Sequence, residues 1–154
     1  MEPPGVRVPR WYCPIAHTTF SLLADCLAAK LPGSLEELEQ VLSVVEQAPS
    51  VEAAADKLRP DILLPGRVRW VRRRVTLARL ALGALIALSP AQLGGCEPTL
   101  RSVRARLQSE WVLPSLRELG EAHLPALPPP LGFGPREPGR RQHDSGPRAP
   151  PAQR

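Results

Sequence analysis

Apolar and polar positions alternate over residues 6–12, "VRVPRWY". That period of two predicts a short strand, and Pro9, with no N–H to give a ladder, confines it to an edge. "CPIAH" then reads as a turn, and residues 18–31 as a short helix that stops before Pro32 and Gly33. Ser34, with Glu37 three positions on, has the form of a capping box. Leu35, Leu38, Val41, Leu42 and Val45 follow at helical spacing and predict a helix as far as Gln47, before Pro49. Glu36, Glu37 and Glu39 suit the positive end of that helix and, with Glu46, read as capping or solvated residues. Ser50 caps a shorter helix over residues 51–59, with Ala54, Ala55 and Leu58 inward, until "PDILLPG" breaks it.

The next helix is predicted over residues 65–88. At about 100° per residue, Val68, Val71, Val75, Ala78 and Leu82 share one stripe, and Arg69, Arg73 and Thr76 lie opposite. Beyond Leu77 the pattern is apolar almost all round, which predicts a buried C-terminal half. Pro98 and Thr99 start another helix with Leu100, Val103, Leu107 and Val112 inward; Pro114 interrupts it, and "SLRELGEAHL" adds roughly two turns. From Pro128 onward Pro, Gly and Arg dominate, a composition that cannot bury a core and predicts disorder. The expected fold class is mainly α: a small helical bundle with a helix-turn-helix-like unit, a short N-terminal β-hairpin remnant and a disordered C-terminal tail. The expected divisions are residues 1–17 (zinc-ribbon-like remnant), 18–88 (helical domain, with the helix-turn-helix-like unit at 50–75), 98–124 (C-terminal helices) and 128–154 (disordered Pro/Arg-rich tail).

Composition supports the helical reading, since aromatic residues make up only 4% of the 154 positions, too few for an ordinary β-sandwich. The net charge of +5 favours an anionic partner. The charge is also sorted into blocks: residues 34–56 carry Glu36, Glu37, Glu39, Glu46, Glu52 and Asp56, whereas residues 67–79 are purely basic. Cys13, Cys26 and Cys96 are odd in number and irregular in spacing, as reduced thiols in a cytosol would be, and residues 1–10 lack the apolar run of a secretory signal. The longest apolar stretch, residues 75–89, is shorter than a membrane span and contains Arg79. A cytoplasmic location without membrane association is therefore expected.

The sharpest chemical signal is "RVRWVRRRV", residues 67–75. A short helix, a turn and a longer basic helix have the order of a helix-turn-helix, though residues 60–64 make the turn longer than usual. Arg67, Arg69, Arg72, Arg73 and Arg74 are the candidate DNA-binding residues. The planar guanidinium fork can bond two phosphate oxygens, or guanine O6 and N7, at once. Arg69 and Arg73 are like charges one turn apart, and no acid lies between Asp61 and Glu97 to relieve them. A solvated face, a scaffold-paired face and an anionic membrane surface are the alternatives. Trp70, at the edge of the apolar stripe, reads as a packing residue.

Cys13 and His17 in "CPIAH" form the one close Cys/His pair and are the candidate metal ligands. A strand leading into such a turn has the look of one zinc-ribbon knuckle, but a zinc site needs about four ligands. Zinc would be held only if the others came from elsewhere; otherwise no cofactor is expected, and the pair is a buried thiol beside an exposed histidine. The scattered acids form no strand-borne cluster of the kind two-metal strand transfer requires, so no enzyme is expected.

Residues 6–33, 46–75 and 123–136, beginning "VRVPRWYCPIAHTTF", "EQAPSVEAAADKL" and "HLPALPPPLGFGPR", resemble a family of short bacterial insertion-sequence-associated, transposase-like proteins. The resemblance implies a zinc ribbon with an upstream CxxC knuckle, followed by a DNA-binding helix-turn-helix. It would set Cys13 and His17 in the second knuckle and residues 51–75 in the DNA-binding unit. It further implies that the chain is truncated or that its start lies upstream of Met1. Duplex DNA is the expected partner, with a homodimer left open. The rival readings are a helical interaction or dimerisation module for an acidic partner, and a truncated product without function.

Overall fold

The structure, a computed structural model, describes residues 7–134. Helix α1 (Leu35–Gln47) starts where its capping box predicts: Ser34 Oγ accepts from the Glu37 N–H at 3.0 Å, and Glu37 Oε2 accepts from the Ser34 N–H at 2.8 Å. Gly33 precedes it at φ +100°, where any Cβ would run into the Glu37 carboxylate, so the box needs glycine there. Helix α2 (Val51–Leu58) is capped by Ser50, whose Oγ accepts from the Ala53 N–H at 3.1 Å. Helix α3 (Gly66–Leu88) is the longest, and Val68, Val71, Ala78 and Leu82 of its predicted stripe are buried. A short α4 (Pro90–Leu93), α5 (Leu100–Leu107), α6 (Val112–Leu119) and a 3-10 turn at Glu121–His123 follow. Among the described residues no helix is long and apolar enough to cross a membrane.

The apolar faces form two clusters. The larger joins α1, the C-terminal half of α3, α4, α5 and α6 to Ala28, Leu31, Leu127 and Leu131. The smaller lies between α2 and α3, where Ala55 meets Val68 and Val71, with Val51, Leu58 and Trp70 at its edge. The C-terminal half of α3 is less enclosed than its composition suggests, because Leu80 and Leu88 remain exposed.

Three expectations are corrected. Residues 18–31 form no helix. Thr18–Ser21 is a strand, β2, antiparallel to β1 (Arg10–Cys13), with Trp11 opposite Phe20 and Tyr12 opposite Thr19. Two threonines and a phenylalanine suit a pleated pair, and His17 at φ +47° closes the turn. The rest of the segment runs as an irregular strap that drops Ala28, Ala29 and Leu31 into the interior. Its backbone bonds go elsewhere: the Ala29 N–H reaches the Pro130 carbonyl at 3.0 Å, and the Cys26 carbonyl accepts from the Leu35 N–H at 2.8 Å. Second, the break between the last helices falls at Gln108, in the left-handed region, and not at Pro114, which sits in the first turn of α6 where its missing N–H costs nothing. Third, residues 128–134 are folded. Leu131 is fully buried, the Gly134 N–H reaches the Leu127 carbonyl at 2.8 Å, and a Cβ on Gly132 would strike Leu127. Only residues 135–154 of the expected tail lie outside the described residues.

Buried charge holds these pieces in register. Glu39, on α1, is 1% exposed. Its Oε1 accepts from Arg104 Nη2 at 2.6 Å and the Val112 N–H at 3.0 Å, and its Oε2 from the Leu113 N–H at 2.8 Å. Glu46 accepts from the Leu100 and Arg101 N–H groups at 2.7 and 3.0 Å. Read as capping or solvated, both acids cap, though not their own helix: they satisfy the open N–H groups at the starts of α6 and α5 and complement their dipoles, and Glu39 is buried. Arg117, on α6, donates to the carbonyls of Leu131 at 3.0 Å, Asp25 at 2.7 Å and Pro130 at 2.6 Å, and also to that of Leu27. Burial pulls its pKa below the ordinary guanidinium value, with Asp25 and Cys26 opposing, yet an arginine there remains charged.

Replacing Arg117 by methionine keeps most of the volume and leaves the carbonyls of Asp25, Leu27 and Leu131 without its donors, while that of Pro130 keeps only the Ala29 N–H. The expected loss is about 3 kcal/mol, read as a lower urea midpoint, because each unmet buried polar group costs roughly 1–3 kcal/mol.

Candidate nucleic-acid interface

Helix α3 carries five arginines in its first three turns, and the fold gives them different surroundings. Arg67 is held by Asp56 of α2 at 2.6 Å, and its Nε is buried without a hydrogen-bond partner. Arg72 meets Glu52 of α2 at 3.2 Å, with both side chains largely exposed. Arg74 is only 7% exposed, and its guanidinium lies 3.7 Å from the Trp70 ring centre. Desolvation lowers its pKa, helped by the positive charges of Arg73 and Arg59. Arg69 and Arg73 are exposed and have no ion-pair partner among the described residues.

Two corrections follow. Two of the five candidates for DNA contact do not lie with Arg69 and Arg73: Arg74 is buried against the ring of Trp70, one turn before it, and Arg67 is turned onto Asp56. The arginine cluster is also not unrelieved: Glu52 and Asp56, one turn apart on α2, reach across to Arg72 and Arg67. A search for acids along α3 could not find them, but their i, i+4 spacing on the preceding helix was a readable signal. The outer cationic set is thus Arg69, Arg72 and Arg73. Trp70 is the packing residue expected, part-buried and 5.3 Å from Arg59 as well. Arg59 also forms a two-pronged bond to Asp61, at 2.9 and 2.7 Å, across the turn between the helices. That bond raises the pKa of Arg59 and lowers that of Asp61.

The outer set borders an open groove of about 1040 Å³. Arg69, Arg72 and Arg73 line one end, and Leu77, Leu80 and Ala84 line the other. Ala126, Pro128 and Pro129 form a wall of the groove.

Cys13 and His17 are at opposite ends of the hairpin turn. The His17 Nδ1 is engaged by Tyr12 Oη at 3.1 Å, and Cys13 is half-buried. Among the described residues no three His, Cys, Asp or Glu side chains gather closely enough to hold a metal ion, so neither Cys26 nor Cys96 completes a site there. No family model, curated protein or solved structure matches the chain.

Trp70→Leu keeps an apolar side chain and removes the ring that covers Arg74. The expected cost is about 1–2 kcal/mol by urea denaturation, from the lost cation–π contact and lost packing. A midpoint equal to wild type would show that the Arg74 contact contributes nothing to stability.

Proposed function

We propose that this chain binds duplex DNA through the N-terminal half of α3, in a helix-turn-helix-like unit formed by α2 and α3. The observation that carries the reading is the outward set of Arg69, Arg72 and Arg73. Two of the three lack an acidic partner among the described residues, and the third has only an exposed one. An exposed ion pair contributes roughly 0–1 kcal/mol, so a phosphate can take the place of Glu52 on Arg72 at little cost. Arg67 ties α3 to α2 through Asp56, Arg74 is taken up by Trp70 of its own helix, and the outer three are left to meet the anion. Capture is electrostatic first, with any base contacts made by the same forks in a major groove.

Binding without catalysis is the second part of the proposal. Glu37, Glu39, Glu46, Glu52, Asp56 and Asp61 are each engaged by a hydrogen-bond donor or a cation that serves capping, packing or arginine placement.

Fluorescence anisotropy of a labelled duplex from the gene's flanking DNA tests the first part. With Arg69, Arg72 and Arg73 all changed to alanine, the slope of log affinity against log salt should fall by roughly 2–3, since each lost phosphate contact removes about 0.9. Glu52→Gln should act in the other direction, freeing Arg72 and tightening binding at low salt. A folded wild-type chain that gives no anisotropy change at low salt would refute DNA binding.

A further inference from the structure

The arginines occupy only half of the groove. From Val68 to Ala84 it follows α3 for about 24 Å. Along that length its outer positions change from Arg69, Arg72 and Arg73, through Thr76, to Leu80 and Ala84. Leu80 is 59% exposed in the middle of a long helix, beside the wall of Ala126, Pro128 and Pro129. A phosphate backbone has nothing to offer that end, where no cation lines the groove. A trough that is cationic at one end and apolar at the other, and as long as some four to five helical turns, matches one kind of ligand.

We propose that this groove docks an acidic amphipathic helix of a partner protein, its carboxylates on Arg69 and Arg73 and its apolar stripe on Leu80, Ala84 and the 126–129 wall. Charge complementarity selects this occupant over the others. A second copy of the chain paired antiparallel through α3 would set Arg69 and Arg73 against the apolar Leu80 and Ala84 of its mate, and a parallel pair would set arginine against arginine. The chain's own residues 135–154 carry Arg136, Arg140, Arg141, Arg148 and Arg154 against Glu137 and Asp144, so their net charge has the wrong sign. The docking inference stands apart from the DNA reading, but both use Arg69 and Arg73, so the two ligands would exclude each other. An acidic partner would thereby act as a release factor for DNA.

The test uses the full chain and a fluorescein-labelled 18-residue amphipathic helix with leucines at i, i+3, i+4 and i+7 spacing and glutamates at one end. A control peptide carries lysine in place of each glutamate. The glutamate peptide should bind saturably and the lysine peptide should not. Leu80→Glu, at an exposed position that leaves the core intact, should weaken peptide binding about tenfold or more while lowering duplex affinity far less, since its carboxylate lies two turns from Arg73. The double change Arg69→Glu and Arg73→Glu should reverse the preference toward the lysine peptide, with circular dichroism confirming that the helices remain. Peptide binding without any duplex binding would uphold this proposal and remove the DNA reading alone. Failure of the glutamate peptide to saturate, or indifference to Leu80→Glu, would overturn it. So would vesicles rich in phosphatidylserine binding in its stead, with Leu80→Glu abolishing that binding, because the apolar end would then face an anionic membrane.

Discussion

Four backbone carbonyls, from two segments far apart in sequence, converge on the guanidinium of Arg117. Neither the strap at residues 22–33 nor the turn at 127–134 has a helix or sheet to use its carbonyls, and an unmet buried carbonyl is costly. One planar cation with five donors meets that need for both segments at once. The consequences spread outward. The strap is held where Ala28 and Leu31 complete the core under α1. The turn is held where Leu127 and Leu131 close the far side. The wall of Ala126, Pro128 and Pro129 that makes a groove beside α3 stands on this same anchor.

Glu39 and Glu46 perform the corresponding task with the opposite charge. The last two full helices are short, at eight residues each, and helices of that length are not stable alone. Their first turns dock on carboxylates from α1, which supplies acceptors for N–H groups that would otherwise be unmet and charge for the dipoles. The burial of Glu39 is tolerable because its charge is matched by Arg104 and by two backbone donors. Buried ions in this small protein therefore specify where elements go, while the leucine core supplies the bulk of the stabilising burial.

The basic segment illustrates how a fold divides a run of identical residues. Five arginines on successive turns cannot all face the same way, and α2 and Trp70 take those that face inward or sideways. The remaining three keep their charge at the surface because they lie on the face of α3 that neither apolar cluster covers. The same face leaves Leu80 uncovered further along, so it changes from cationic to apolar. That change in character is why the face can be read as one surface with two chemistries.

Local signals located the helices. The Ser34–Glu37 box, the Ser50 cap, and the apolar stripe from Val68 to Leu82 are complete within a few turns of chain, and each corresponds to an observed element. The sequence alone also singled out "RVRWVRRRV" as the densest run of positive charge. It misled where a partner distant in the chain decides the outcome. Residues 18–31 have a helix-like pattern, but pairing with β1 and the carbonyl demands of Arg117 override it. Residues 128–134 have a tail-like composition, but one buried leucine and a tight glycine turn give them a place in the core. Which arginines face outward was likewise a tertiary decision. Helical periodicity fixes their angles around α3 and sets Trp70 one turn before Arg74, whereas which arginines Glu52 and Asp56 reach depends on how α2 packs against α3.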